Sequence, residues 1–350
     1  MSGWKGAAML AAAAAAAALL LAGALLAPGC GPRGGAEAEF PELTGPYLGQ
    51  EPPGRAAKTF APGIVSTPLY ERDIAMTPDG DEIYWMTVVG NFVHTVITVS
   101  YRVDGRWTEP AVAPFSGDPR YLDIEPAISP DGRHFLFASN RPHEPDRDAR
   151  EDMDLWIMDR VDGVWTNARP LPAPVNSERS EYFPSMTAAG VLYFTSDMGP
   201  GTPSSIYRTR PTGDGWSEPE RLPDAVNAGQ NRYNAFVAPD ESYLIVPIAG
   251  REDSRGGTDY YVCFRDADDH WTGPFHLGFA VNSPTGQEWS PYVSPDGEYF
   301  FFMGSRLLQR APEAAGPLTL PEIRAMTDAV ENGLPNIYWV QADLIEALRP

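Results

Sequence analysis

Short apolar runs alternate with turn-forming residues along most of the chain, and one run-turn-run unit returns five times. The string Met76-Thr77-Pro78-Asp79-Gly80 comes back as Ile128-Ser129-Pro130-Asp131-Gly132, Val237-Ala238-Pro239-Asp240-Glu241 and Val293-Ser294-Pro295-Asp296-Gly297. A degenerate copy, Met186-Thr187-Ala188-Ala189-Gly190, falls in the middle. Taking 79, 131, 189, 240 and 296 as the register positions, the spacings are 52, 58, 51 and 56 residues. Such a period fits one four-stranded β-propeller blade with its loops.

Each unit has the same grammar. A short apolar strand, a, leads into the Pro-Asp-Gly turn. An aromatic-rich strand, b, follows it, as in Ile83-Tyr84-Trp85-Met86, His134-Phe135-Leu136-Phe137 or Tyr299-Phe300-Phe301-Phe302. After a variable loop comes strand c, as in Asp154-Leu155-Trp156, Ser205-Ile206-Tyr207, Asp259-Tyr260-Tyr261 and Asn336-Ile337-Tyr338. Then a tight turn precedes Trp107, Trp165, Trp216 or Trp271. Asp-Gly between two β-rich runs signals a hairpin, so the Trp opens strand d. The last unit ends after strand c, while residues 57–66 line up with the d segments of other units. An N-terminal strand d that completes a C-terminal a-b-c removes exposed sheet edges. The expected fold is all-β: a five-bladed β-propeller over residues 56–350, closed by the N-terminal strand, with a helical insertion near residues 318–333.

The N-terminus reads differently. Lys5 precedes an uncharged Ala/Leu run over residues 6–27, then Pro28-Gly29-Cys30. That is the anatomy of an export signal over residues 1–29, or of an uncleaved anchor. Residues 30–55, rich in Gly, Pro and Glu at their start, read as a flexible tether. The formal net charge of −21 repels nucleic-acid phosphates and argues against that partner class. With two cysteines in the chain, Cys30 and Cys263, a disulfide framework is not what stabilises the fold, and Cys263 reads as a buried small hydrophobe.

Two resemblances follow from these residues. Leu25-Leu26-Ala27-Pro28-Gly29-Cys30 resembles a bacterial lipoprotein signal, which implies lipidation at Cys30 and a lipid anchor at the outer membrane, on its periplasmic or surface side. The repeat resembles the WD-like units of TolB-type propellers, on Ser-Pro-Asp-Gly turns, Ser139-Asn140-Arg141 with Asp154-Leu155-Trp156, and Ser305-Arg306 with Asn336-Ile337-Tyr338. That resemblance implies the propeller fold and a role in binding at the cell envelope.

In such a blade the a–b and c–d turns share one face. The other carries the b–c loops, including residues 138–153, 249–258 and 304–335, the last with a helix expected at 321–331. Strand a is innermost. Eight positions before the register stand Glu71, Asp123, Glu181, Arg232 and Glu288; six before stand Asp73, Glu125, Phe183, Asn234 and Ser290. Tyr182, Tyr233 and Trp289 lie between the two rows, and Arg141, Arg251 and Arg306 leave strand b nearby. One reading pairs the acids with the arginines and with strand N–H groups, holding the ring together. A second makes an acidic, aromatic-rimmed funnel that takes a basic peptide, a glycan or a cation. A third makes the chain a glycoside hydrolase using Glu181, Glu288 and Asp123. No catalytic residue, metal ligand set or cofactor is assigned: the histidines lack ligand spacing, and Ca²⁺ is the one cation that oxygen-rich loops would suit. The expectation is a monomeric, envelope-anchored module that binds a protein or a glycan without catalysis.

Overall fold

The computed structural model describes residues 39–144, 147–197, 203–213, 215–284, 288–308 and 316–350. The signal expected over residues 1–29 and the lipidation expected at Cys30 lie outside the described residues. Five small antiparallel sheets form a ring, a five-bladed propeller of four-stranded blades.

Blade 1 runs Tyr70–Met76, Glu82–Val89 and His94–Val103, with its outer strand in two pieces, Arg106–Trp107 and Ala111–Val112. Blade 2 repeats this with Asp123–Ile128, His134–Ser139, Asp154–Val161, Val164–Trp165 and Arg169–Pro170. In blade 3, Glu181–Met186, Leu192–Ser196, Ser205–Thr209 and Glu220–Arg221 form the sheet, while Gly215–Trp216 pairs with Pro211–Thr212 as a separate ribbon. The Trp-led hairpin is thus a stub, after which the chain rejoins strand c with Glu220 opposite Arg208 and Arg221 opposite Tyr207. Blade 4 has Asn231–Arg232 and Phe236–Val237 as its interrupted inner strand, then Tyr243–Ala249, Thr258–Arg265 and Trp271–His276.

Blade 5 closes the ring. Its own strands are Tyr292–Val293, Tyr299–Leu307 and Asn332–Gln341, and its outer strand is Lys58–Thr59 from the N-terminal side, with Lys58 opposite Trp339 and Thr59 opposite Tyr338. Phe60 follows, fully buried, its ring 5.0 Å from Phe301 and 5.2 Å from Trp339.

The turns explain their own sequence. Asp79 accepts hydrogen bonds from the Thr77 hydroxyl (2.6 Å) and the Asp81 N–H (3.1 Å); Asp131 and Asp296 do the same with Ser129 and Ser294. Such side-chain bonds replace backbone partners in the turn, and the next residue is left-handed, as at Gly80 with φ 68°. The d–a connections are fixed by a second device. Asn176 binds both the N–H and the C=O of Leu155, Asn227 those of Ile206, and Asn282 those of Tyr260, so each asparagine clips its segment to strand c of the preceding blade.

Between blades the core is apolar. Tyr193 and Ile206 of blade 3 pack with Leu244, Val246 and Tyr261 of blade 4, and Tyr260 and Val262 of blade 4 with Phe300 and Phe302 of blade 5. Cys263 is fully buried there, and burial pushes its thiol up to about 12, out of reactive range.

Two segments differ from the sequence reading. The tether was placed over residues 30–55, yet its later part is docked: Gly45 O accepts from Trp107 Nε1 (2.8 Å), Tyr47 packs 5.1 Å from Tyr299, and Leu48 is fully buried. Aromatic faces of blades 1 and 5 would otherwise lie open to water. The helix spans Leu320–Thr327 rather than residues 321–331, opened by a capping box between Thr319 and Glu322. It stops where Asn332 Nδ2 takes the Thr327 carbonyl (2.9 Å) and strand c of blade 5 begins. Among the described residues no helix is long and apolar enough to cross a membrane.

Candidate functional site

Strand a carries three kinds of position, separated by a bulge. Register shifts occur between Arg72 and Ala75, Ile124 and Ala127, and Tyr182 and Ser185. At this point Asp73, Glu125, Phe183 and Asn234 adopt left-handed φ of 53°, 59°, 50° and 48°. An extra residue in a strand turns its side chains to a new face, so the rows eight and six positions before the register have different surroundings.

The outer row faces the blade junctions. Glu71 accepts from the Thr67 N–H (3.2 Å), the Thr67 hydroxyl and Asn336 Nδ2 (3.1 Å). Glu181 accepts from the N–H and hydroxyl of Ser177 (3.0 and 2.6 Å) and from Ser196 (3.2 Å). Glu288 accepts from the N–H and hydroxyl of Ser283 (2.9 and 2.6 Å). Asp123 takes Ser116 (2.8 Å), Ser139 (2.9 Å) and both Nε (2.9 Å) and Nη2 (2.6 Å) of Arg141. Arg232 donates to Ser205 (3.2 Å) and Gly229 O (3.4 Å). All five are buried, each tied to its own d–a connection or to a neighbouring strand. Burial pushes Glu181 and Glu288 up to about 7 against the opposing serine bonds.

Arg141 is the one strand-b arginine that meets this row. Arg251 pairs with Asp253 (2.9 Å) and lies over Tyr261, and Arg306 lies 4.2 Å from the ring centroid of Tyr338.

The bulge row meets in the channel. Arg72, one residue before it and 5% exposed, donates from Nε to Asp73 (2.7 Å) and from Nη2 to Glu125 (3.3 Å). Glu125 also accepts from the Phe183 N–H (2.7 Å) and Asn234 Nδ2 (3.2 Å), and the Ser290 hydroxyl donates to Asp73. All five blades contribute a group. Burial, with the Asp73 charge, pushes Glu125 up to about 8, while the two carboxyl groups hold Arg72 charged despite its burial. Trp289, half-buried, lies 5.7 Å from the Arg72 guanidinium, with half-buried Tyr182 and Tyr233 at the same level.

Beyond the plug, toward the Pro-Asp-Gly turns, the channel opens into a cavity of about 290 Å³. Its wall is Ile74, Met76, Ile128, Met186, Val237 and Val293; its rim is Pro78, Pro130, Pro239 and Pro295; Asp73 and Ser290 form its floor. This well lies on the face opposite the b–c loops, where the sequence reading put the ligand. The signal was present: Met76, Ile128, Met186, Val237 and Val293 stand three positions before the register in all five units, just ahead of the turn strings, where they read as ordinary strand core.

Chemically, the carboxylates named as glycosidase candidates, Glu181, Glu288 and Asp123, sit in three separate junctions, and none lines the well. Among the described residues no group of three or more His, Cys, Asp or Glu side chains is placed to hold a metal.

No protein-family model matches the chain, and no curated protein does. Among solved structures it is similar to TolB from Acinetobacter baumannii, at 17% identity and a TM-score of 0.44 over 78% of this chain; it spans 57% of that one. It is similar to a gluconolactonase from Xanthomonas campestris at 15% identity and a TM-score of 0.44, over 77% of this chain and 83% of that one. An α-L-arabinofuranosidase from Lactobacillus brevis stands at 12% identity and a TM-score of 0.47, covering 79% of this chain and 92% of its own.

Proposed function

We propose that the chain is a non-catalytic binding module of the bacterial cell envelope, a monomer exported and held at the outer membrane by a lipid on Cys30, that receives a partner protein in the apolar well of its channel. The observation that carries this reading is the contrast between the two acid rows and the well. Every carboxylate of the outer row is buried in a junction, and those of the bulge row are paired with Arg72 and its neighbours. What the channel offers a ligand is an apolar wall ringed by rigid prolines, the kind of concave site that takes a bulky apolar side chain. The hydroxyls that line the well are few beside its apolar groups, and Ser129, Ser185, Ser290 and Ser294 each make a hydrogen bond within the protein, which favours an apolar side chain over a glycan.

The test is to pan a displayed random-peptide library against the full-length protein, beside a screen for binding or cleavage of xylo- and arabino-oligosaccharides. Enriched peptides sharing a large apolar residue, with binding lost in Ile128→Glu, support the reading. Oligosaccharide binding or cleavage that survives Ile128→Glu and disappears in Asp73→Asn overturns it.

A further inference from the structure

The junctions between blades repeat one arrangement with different residues: Asp154 and Asp259 hold a rung that Asn336 holds elsewhere, and Asp154 has Arg150 Nε 2.9 Å from its Oδ2, whereas Asp259 has no arginine paired with it among the described residues. Between blades 5 and 1, Asn336 stands midway along strand c. Its Oδ1 accepts the Glu331 N–H (3.0 Å), and its Nδ2 donates to Glu71 Oε2 (3.1 Å). Between blades 4 and 5 the same places are held by Asp259 and Glu288: Asp259 pairs with Ile248 as Asn336 pairs with Gly304, on the same rung of strand b. Asp259 Oδ2 accepts the Arg255 N–H (2.5 Å), as Asn336 Oδ1 accepts that of Glu331. Asp259 Oδ1 therefore takes the place of the amide nitrogen, and Glu288 Oε2 that of the oxygen it served. Both of these oxygens are buried without a hydrogen-bond partner.

Among the described residues no arginine or lysine is paired with Asp259 or Glu288. His276 Nε2 lies 3.0 Å from Asp259 Oδ2 and 3.1 Å from Asn282 Nδ2, and its Nδ1 accepts the Gly278 N–H (3.0 Å), which leaves Nε2 as the ring nitrogen that can donate to Asp259. The Arg255 guanidinium stacks on Phe279 (4.5 Å), and Arg251 is paired with Asp253 (2.9 Å). The Tyr260 hydroxyl donates to Met303 O, and that of Tyr261 to Asp253. Among the described residues Glu288 hydrogen-bonds Ser283, through Oε1. A bound calcium would require roughly six to eight oxygens, and the described residues supply no such set.

We propose that Asp259 and Glu288 share one proton, held between Asp259 Oδ1 and Glu288 Oε2, as a pH-sensitive clasp on the junction of blades 4 and 5. The proton restores the hydrogen bond that Asn336 makes to Glu71 and leaves the pair with a single negative charge, which the His276 N–H and the serine donors solvate. Release of the proton to water leaves two buried carboxylates face to face. Strand a of blade 5 is then pushed from the junction, and with it Trp289 and Ser290, the blade's contribution to the channel plug.

The sign follows from linkage. Burial, with the Asp259 charge adding to it, raises Glu288 from 4.5 to about 7. The folded state thus holds a proton that the unfolded chain has lost, and stability falls as pH rises between those values.

The experiment is thermal unfolding of the full-length protein from about pH 5 to about pH 9, with and without EDTA or calcium, on wild type, Asp259→Asn, Glu288→Gln and His276→Gln. Wild type is expected to lose several degrees of Tm as pH rises, the Asp259–Glu288 proton adding to those held by Glu181 and Glu125. Asp259→Asn and Glu288→Gln each supply an amide donor and are expected to keep the acid-side Tm and to reduce the dependence by one proton, while His276→Gln leaves it in full. The infrared difference between wild type and Asp259→Asn at neutral pH should show a protonated-carboxyl C=O band present only in wild type. An undiminished decline in Asp259→Asn, loss of the decline in His276→Gln, or Asp259→Asn being less stable than wild type at every pH overturns the proposal. So does a calcium-dependent rise in wild-type Tm that Asp259→Asn lacks, which would make the junction a cation site.

Discussion

Arg72 is the residue on which the channel turns. Its guanidinium is buried with two carboxyl groups, and it draws Asp73 and Glu125 of adjacent blades to one point. A buried ion pair is weak evidence of stability in itself, but removing one partner strands the other charge at a cost of about 3–5 kcal/mol. Arg72→Met, close in volume and without charge, should lower the urea unfolding free energy by that order, whereas Arg141→Met, whose partner Asp123 keeps two serine donors, should cost less. Equal effects would mean that the plug is no more than another junction. The left-handed φ values at Asp73, Glu125, Phe183 and Asn234 fit this picture: strain of roughly 1 kcal/mol at each is tolerated where the surrounding bonds fix the backbone.

At the scale of elements, the ring depends on two residues of strand. Lys58–Thr59 is too short to hold by its ladder, so the closure rests on Phe60, locked between Phe301 and Trp339. Phe60→Ala removes a fully buried ring and should cost about 3–5 kcal/mol, and protease should then cut first near residue 57, between blade 5 and the docked N-terminal segment. The helix Leu320–Thr327 is the opposite case. It buries no residue, so Thr319→Ala, though worth about 1 kcal/mol to the helix, should leave the global Tm unchanged while its own amides exchange faster. The strands and their order were legible because the aromatic runs and Asp-Gly turns are local signals repeated five times. The split outer strands were not: Trp107 and Trp165 look like strand openers, and only packing reveals that each ends a stub before the chain shifts register.

For the molecule as a whole, the architecture could be read from a period, while the site could not. Alternation along strand a put Glu71 and Asp73 on one face, and one bulged residue sends them to a junction and to the channel respectively. A bulge has no sequence signature here, since Asp, Glu, Phe and Asn all occupy it. The same bulge divides the channel into an aromatic mouth, a charged plug and an apolar well. On a protein of net charge −21, the proposed binding role would divide the work between field and surface: long-range attraction would favour a partner with lysine or arginine near its anchor, and the apolar wall of the well would set how long it stays. For a peptide recovered by panning, raising the salt from low to physiological should slow association by about tenfold and leave dissociation nearly unchanged. Ile128→Glu should do the reverse, speeding dissociation far more than it alters association, because the added charge sits inside the well and must be desolvated when an apolar side chain enters. Surface plasmon resonance on the two proteins at two salt concentrations separates these effects. A salt-sensitive dissociation rate would place the contact on the charged loops of the opposite face instead of in the well.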